Sequence, residues 1–173
     1  MIKPKRQSGF TLLEMIVIVG ILGILAAAVY PAIMNALRNR TLEAAAREIA
    51  MELHQAKIMA VKTRTNIRVV FRQSTGQPWT YVMETEDATG NWTTLTGALK
   101  RYISAEFQVT IDLPDQSVVF SPLGLVDNYT VGQNSISLSS VEMRQQHQPD
   151  VRSLSIFAGG SVQYARSSST EAP

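Results

Sequence analysis

The stretch "KRQSGFTLLEMIVIVGILGILAAAVYPAIM", residues 5–34, decides how the rest of the chain is read. From Phe10 to Tyr30 it holds 21 residues with a single charge, Glu14. A helix of that length rises about 1.5 Å per residue and covers roughly 30 Å, the hydrocarbon thickness of a bilayer. Lys3, Lys5, Arg6 and Gly9 come just before it. An ordinary secretory signal puts its small-residue cleavage site after the apolar run, so the run is discarded. Here the small residue comes first, and a cut after Gly9 leaves the helix on the mature chain. Basic residues flanking a span stay cytoplasmic, which directs everything after residue 30 to the opposite side.

The totals set the remaining bounds. A chain of 173 residues accommodates one ordinary domain plus an appendage. Without the three basic residues ahead of Gly9, 13 Lys/Arg face 14 Asp/Glu, so the body is near neutral and a globally basic nucleic-acid binder is not indicated. The charge is uneven: residues 38–72 hold eight Lys/Arg against three Glu, and residues 84–127 hold seven Asp/Glu against two Lys/Arg. The absence of cysteine removes disulfides, thiolate chemistry and Cys-type zinc sites.

Glu14 is the odd member of the apolar run. A carboxylate at the centre of a span costs on the order of 2.5–3.5 kcal/mol on insertion scales and normally has a functional partner. Four residues inside the helix start, it can also reach headgroups and favour the positive end of the helix dipole. Gly9-Phe10-Thr11-Leu12-Leu13-Glu14, preceded by Lys5 and Arg6 and followed by an apolar helix with Pro31, resembles the class III signal of type IV pilins and type II secretion pseudopilins. That resemblance implies cleavage after Gly9 by a prepilin peptidase, N-methylation of Phe10, and pairing of Glu14 with the Phe10 amine of a neighbouring subunit. It also implies an inner-membrane assembly platform and other pilins or pseudopilins as partners in a filament. A buried carboxylate in a filament core needs a positive partner, and a terminal amine is the one at hand.

Pro31 removes a backbone donor, so a kink, local melting or the end of the spanning segment is expected there. Residues 33–63 contain neither Gly nor Pro, and Leu42, Ala45, Ala46, Ile49, Leu53, Ala56 and Ala60 form one stripe at 3.6-residue spacing. The first helix therefore continues as an amphipathic half, with Glu43 and Arg47 as an i,i+4 pair away from the stripe.

After Thr63 the pattern changes to short runs rich in Val, Ile, Thr and aromatics: "NIRVVF", "WTYVMET", "WTTL", "FQVTIDL", "SVVFS", "SISLSSVEM", "SLSIFA" and "SVQYA". Gly159-Gly160 marks a hairpin, and "STGQP", "DATGN" and "LPDQ" mark turns. "RYISAEF" reads equally as a strand or a short helical piece. The expected fold is α+β, a long N-terminal helix packed on an antiparallel sheet body. Its segments are a leader at 1–9, a membrane or filament-core helix at 10–31, an amphipathic half at 32–63, a β-rich body at 64–165 and a flexible tail at 166–173.

"AAAREIAMELHQAKIMAVKTRTNIRVVF", "FSPLG" and "LSIFAGGSVQY" together resemble the GspH/FimT group of minor pilins and pseudopilins. The function this implies is a structural subunit of a type II secretion pseudopilus. The alternative is a FimT-like minor pilin with a DNA-uptake role. For that alternative, Lys57, Lys62, Arg64, Arg68 and Arg72 supply a basic run, and Trp79, Tyr81 and Trp92 supply stacking faces. In the FimT-like group the resemblance places DNA binding in a C-terminal Gly-Arg-x-Arg segment, where this chain reads Gly160-Ser161-Val162-Gln163. The basic run also reads as a solvated stalk end facing acidic neighbours, and that reading is preferred. His54 and His147 lack metal-ligand spacing, no phosphate loop or GxSxG elbow is present, and Asp112 and Asp115 flank a turn. No enzyme chemistry, cofactor or metal is expected.

Overall fold

The computed structural model describes residues 12–140 and 150–167. Helix α1 (Leu12–Thr63) is followed by β1 (Ile67–Arg72), β2 (Thr80–Glu86), β3 (Trp92–Thr94), β4 (Arg101–Tyr102), β5 (Phe107–Asp112), a 3-10 turn (Pro114–Gln116), β6 (Ser117–Phe120), β7 (Ser135–Ser140), β8 (Val151–Ile156) and β9 (Val162–Ser167). The chain divides into two compact units, Met1–Leu37 and Arg38–Pro173, and the division falls within α1.

In the first unit the described residues are all helical. Their apolar side chains lie open, from Leu12 at 78% exposure to Leu37 at 48%. The helix continues through Pro31 without a break. α1 ends where Arg64 enters the left-handed region at φ +57, a conformation that closes helices but is disfavoured for a residue with a Cβ. Thr63 Oγ1 donates to the Met59 carbonyl at 2.8 Å within the last turn.

The second unit is two antiparallel sheets covered by the stripe of α1. Leu42, Ala46, Ile49, Leu53, Ala56 and Ala60 are buried, with Ala45 half-buried beside them. The first sheet is ordered β3-β2-β1-β6, with β4 also pairing on β2. Here β1 is central: Val69 stands opposite Met83 of β2 and Val118 of β6. Its Val69-Val70-Phe71 is a continuous apolar run because these residues are buried on both faces of the sheet. The second sheet is ordered β5-β7-β8-β9. β7 and β8 alternate buried and half-buried residues, so one face holds Ile136, Leu138, Leu154 and Ile156 in the core.

"RYISAEF" resolves into the two-residue strand β4 followed by a turn in which Phe107 N–H donates to the Ser104 carbonyl. β9 takes in Arg166 and Ser167, two residues assigned above to the tail, because Arg166 pairs with Arg152 across the ladder. Residues 168–173 and the strand end Val141–Met143 lie outside the described residues, as does His147.

Candidate assembly surface and the basic run

The helix half Leu12–Leu37 is one candidate site. It contains a window of mean hydropathy 2.7 with none of its residues buried in the fold, the length and composition of a span. Such a surface is stable in water only when covered by lipid or by other apolar helices. Glu14 lies in its first turn, where the helix N-terminus favours a negative charge. Gly9 and Phe10 lie outside the described residues.

The basic run of the sequence divides into separate contacts, since β-pairing carries successive members to different partners. Arg68 on β1 and Arg72 at its end both reach Glu84 of β2: Arg68 Nη2 lies 2.6 Å from Oε2, and Arg72 Nη2 lies 2.7 Å from Oε1. The pairing of Arg68 with Glu84 in register sets this up. Burial pushes the Glu84 carboxyl up, but hydrogen bonds from Arg72 and Arg68 and their charges outweigh it and hold the group below its usual range. The Arg68 guanidinium also lies 4.4 Å from the centre of the Trp92 ring.

Lys57 does different work. Its Nζ donates to the carbonyls of Gly159 and Gly160, 3.1 Å each, fastening α1 to the turn between β8 and β9. Lys62 and Arg64 are exposed and form no ion pair among the described residues. The stacking faces are also engaged: Tyr81 is buried against Phe71, Trp79 packs on the core, and Trp92 sits under Arg68. The strip of cations with free aromatic faces that the DNA-uptake alternative calls for is therefore not assembled among the described residues. Arg68 and Arg72 neutralise an inward acid instead, leaving Lys62 and Arg64 as the open members.

Two polar clusters escaped the sequence reading. On β8, Arg152 is fully buried and forms a bidentate pair with Asp150, its Nη2 lying 3.0 Å from Oδ2, while Arg166 of β9 approaches the same carboxylate at 3.3 Å. Burial pushes Asp150 up, and the Arg152 hydrogen bond with the charges of Arg152 and Arg166 more than reverses this. On α1, Glu52 is buried 3.6 Å from Arg101, which also pairs with Glu48 at 3.0 Å. Burial raises the Glu52 carboxyl, Arg101 lowers it and Glu48 raises it, leaving it above its usual range. Alternation in "DVR" and helix spacing around Glu52 were the available signals, but exposed charges produce both patterns too. His54 lines an open groove of about 520 Å³ with Met51, Ile58 and Val162. Among the described residues no cluster of three metal-ligating side chains occurs.

No curated protein matches the chain in sequence. Among solved structures, the minor pseudopilin EpsH from the type 2 secretion system of Vibrio cholerae is similar at a TM-score of 0.54 and 10% identity, over 72% of this chain and 95% of that one. The type IV minor pilin FimU of Pseudomonas aeruginosa aligns at a TM-score of 0.48 and 18% identity, over 74% of this chain and 90% of that one. The EpsH likeness shows the shared fold, a long N-terminal helix on antiparallel sheets. Residues 4–30 match the model of the prokaryotic N-terminal methylation motif, and residues 45–160 match that of the type II transport protein GspH. The chain belongs to the GspH family.

Proposed function

We propose that this protein is a minor pseudopilin, a structural subunit that joins a type II secretion pseudopilus through its N-terminal helix and supports protein export. The observation that carries the reading is the presence in one chain of a GspH-type body, residues 45–160, and a helix half with the length and composition of a membrane span. In this account the prepilin peptidase cuts after Gly9 and Phe10 carries the new, methylated amine. Glu14 pairs with that amine on the next subunit, and Pro31 lets the helix adjust as it leaves lipid through the inner-membrane platform. The body lies on the periplasmic side, opposite the basic leader. The subunit's chemistry is assembly, with no reaction of its own.

The uptake alternative loses its specific support once Arg68 and Arg72 are taken up by Glu84. Lys62 and Arg64 alone make a small cationic footprint. The test of the main reading is a pair of variants in the native envelope. Glu14→Ala is expected to be processed normally but to enter filaments poorly. Gly9→Leu is expected to keep Met1–Gly9 attached, visible as the corresponding mass. Normal filament recovery of the first variant, or mature-sized protein from the second, contradicts the assignment.

A further inference from the structure

We infer that the end of the body where α1 stops is a docking face for a partner subunit with an acidic surface, a contact additional to that of the N-terminal helix; this rests on the pseudopilin reading above. Three tight turns meet there. In Ser121–Leu125 the Gly124 N–H donates to the Ser121 carbonyl at 2.8 Å and the Ser121 N–H to the Leu125 carbonyl at 2.9 Å. Phe157–Ser161 repeats the construction: the Gly160 N–H donates to the Phe157 carbonyl at 2.7 Å and the Phe157 N–H to the Ser161 carbonyl at 2.9 Å. Thr130–Gln133 is closed by the Gln133 N–H on the Thr130 carbonyl at 3.1 Å. Gly124, Gly160 and Gly132 supply the positive φ of these turns. The turns are also joined to one another, since the Val126 N–H donates to the Ala158 carbonyl and the Ile156 N–H to that of Asn134. The last turns of α1 complete the group: a Cβ on Gly124 would meet the Lys57 and Val61 side chains, and Lys57 Nζ donates to the Gly160 carbonyl.

Turn tips are ordinarily polar. These carry large apolar side chains into solvent: Leu123 is 82% and Val131 86% exposed, and Leu125, Phe157 and Val61 are open as well. Such side chains add nothing to the core of the body and mark a surface that a partner covers. Backbone hydrogen bonds already fix the turns, so docking has little ordering to impose. Charge identifies the partner. Lys57, Lys62 and Arg64 stand at the same end of α1, and none forms an ion pair among the described residues. Lys57 is bonded to carbonyls, which leave its charge uncompensated, and Asp127, the next acid along the chain from Gly124, pairs with none of the three. Cations around an apolar centre match a face with carboxylates around an apolar centre. Three cations are few for a nucleic-acid groove, and turn tips held at fixed positions suit hollows in a folded protein better than a fluid lipid layer.

The test uses the full chain in its native envelope, with photoreactive benzoylphenylalanine in place of Leu123 or Val131 and, as a separate control, in place of Ile16 in the apolar helix half. After irradiation the crosslinked peptides are identified by mass spectrometry. The labels at 123 and 131 are expected to join one other pilin-like subunit, at a segment where Asp and Glu outnumber Lys and Arg. Lys62→Glu combined with Arg64→Glu is expected to lower that yield about fivefold without moving the thermal midpoint. If the reversal does move the midpoint, Lys62→Gln with Arg64→Gln replaces it and should lower the yield in the same direction. Adducts only to lipid, nucleic acid, a second copy or a protein of another class, no adduct at either position, or a yield indifferent to the charge variants overturns the docking face. Adducts from the label at 16 to pilin-like subunits leave the pseudopilin reading intact in each of those cases. If the label at 16 reaches no pilin-like subunit, the pseudopilin reading fails and the docking face with it.

Discussion

Arg152 has no exposed surface, yet it sits in line with Leu154 and Ile156 on the buried face of β8. Such a cation is tolerable because Asp150 faces it along the same strand and Arg166 closes over the pair from β9. Removing one partner leaves a buried charge uncompensated, so Asp150→Ala is expected to cost about 3–5 kcal/mol, read as a lower thermal midpoint of the full chain in detergent. The carboxyl is held below its usual range, so its contribution is full above the unfolded value of about 3.9 and lost as pH falls through the folded value. Acidification below about pH 4 should therefore destabilise the wild type more steeply than Asp150→Asn. Glu52 has the opposite sign. Its folded value is raised, so the native state binds its proton more readily and the charged form opposes folding as pH rises past the unfolded value. Glu52→Gln should match or exceed wild-type stability at neutral pH, with the advantage shrinking in acid; a large loss at neutral pH would mean that the ion pair with Arg101 outweighs burial. Neither cluster was legible in the sequence. "RQQHQPD" reads as a solvated loop, and the pairing that brings Arg166 to Asp150 is set by the ladder between β8 and β9.

At the scale of elements, local signals worked where the structure is local. The stripe Leu42–Ala60 follows from helix spacing, and its burial makes Ile49→Ala an expected loss of about 2–5 kcal/mol, measurable by the same thermal unfolding. Gly159-Gly160 announces the β8–β9 turn. It does not announce that Lys57 from α1 and the backbone of Gly124 seat that turn. Gly160 has φ +69, and a Cβ there would meet the Gly124 carbonyl oxygen and the Lys57 side chain. Gly160→Ala should thus cost more than the roughly 1–3 kcal/mol of a strained backbone alone, whereas Gly159→Ala, which meets nothing nearby, should be mild. Strand order was not readable. β1 pairs with β6 across a long intervening segment, and both β3 and β4 share the β2 edge, arrangements fixed by burial of non-adjacent runs and not by any neighbouring residues. The partner of the basic run was not readable for the same reason: spacing along the chain says nothing of Glu84, which stands across the ladder from Arg68.

For the molecule as a whole, the core and the apolar helix half draw on different residues. Every buried hydrophobic side chain among the described residues lies between Leu42 and Ile156. The large apolar side chains of Leu12–Leu37 are open, so they add nothing to that core and represent surface to be covered by lipid or neighbouring helices. The apolar helix half was legible because bilayer thickness imposes a length and a composition that few soluble segments share. The change within α1 from all-round apolar to striped marks two halves in the sequence, but that reading sets the boundary at residues 31/32, whereas the compact units divide at Leu37/Arg38. It follows that a chain beginning at Arg38 should fold as a monomer in plain buffer, with a cooperative thermal transition followed by the fluorescence of Trp79 and Trp92, and should keep the midpoint of the detergent-held full chain. The full chain without detergent should instead aggregate or sediment with membranes. Aggregation of the shortened chain, or a transition lacking cooperativity, would show that the helix before Arg38 takes part in folding the body, and that α1 acts as one structural unit whose two halves cannot be assigned separately to filament and fold.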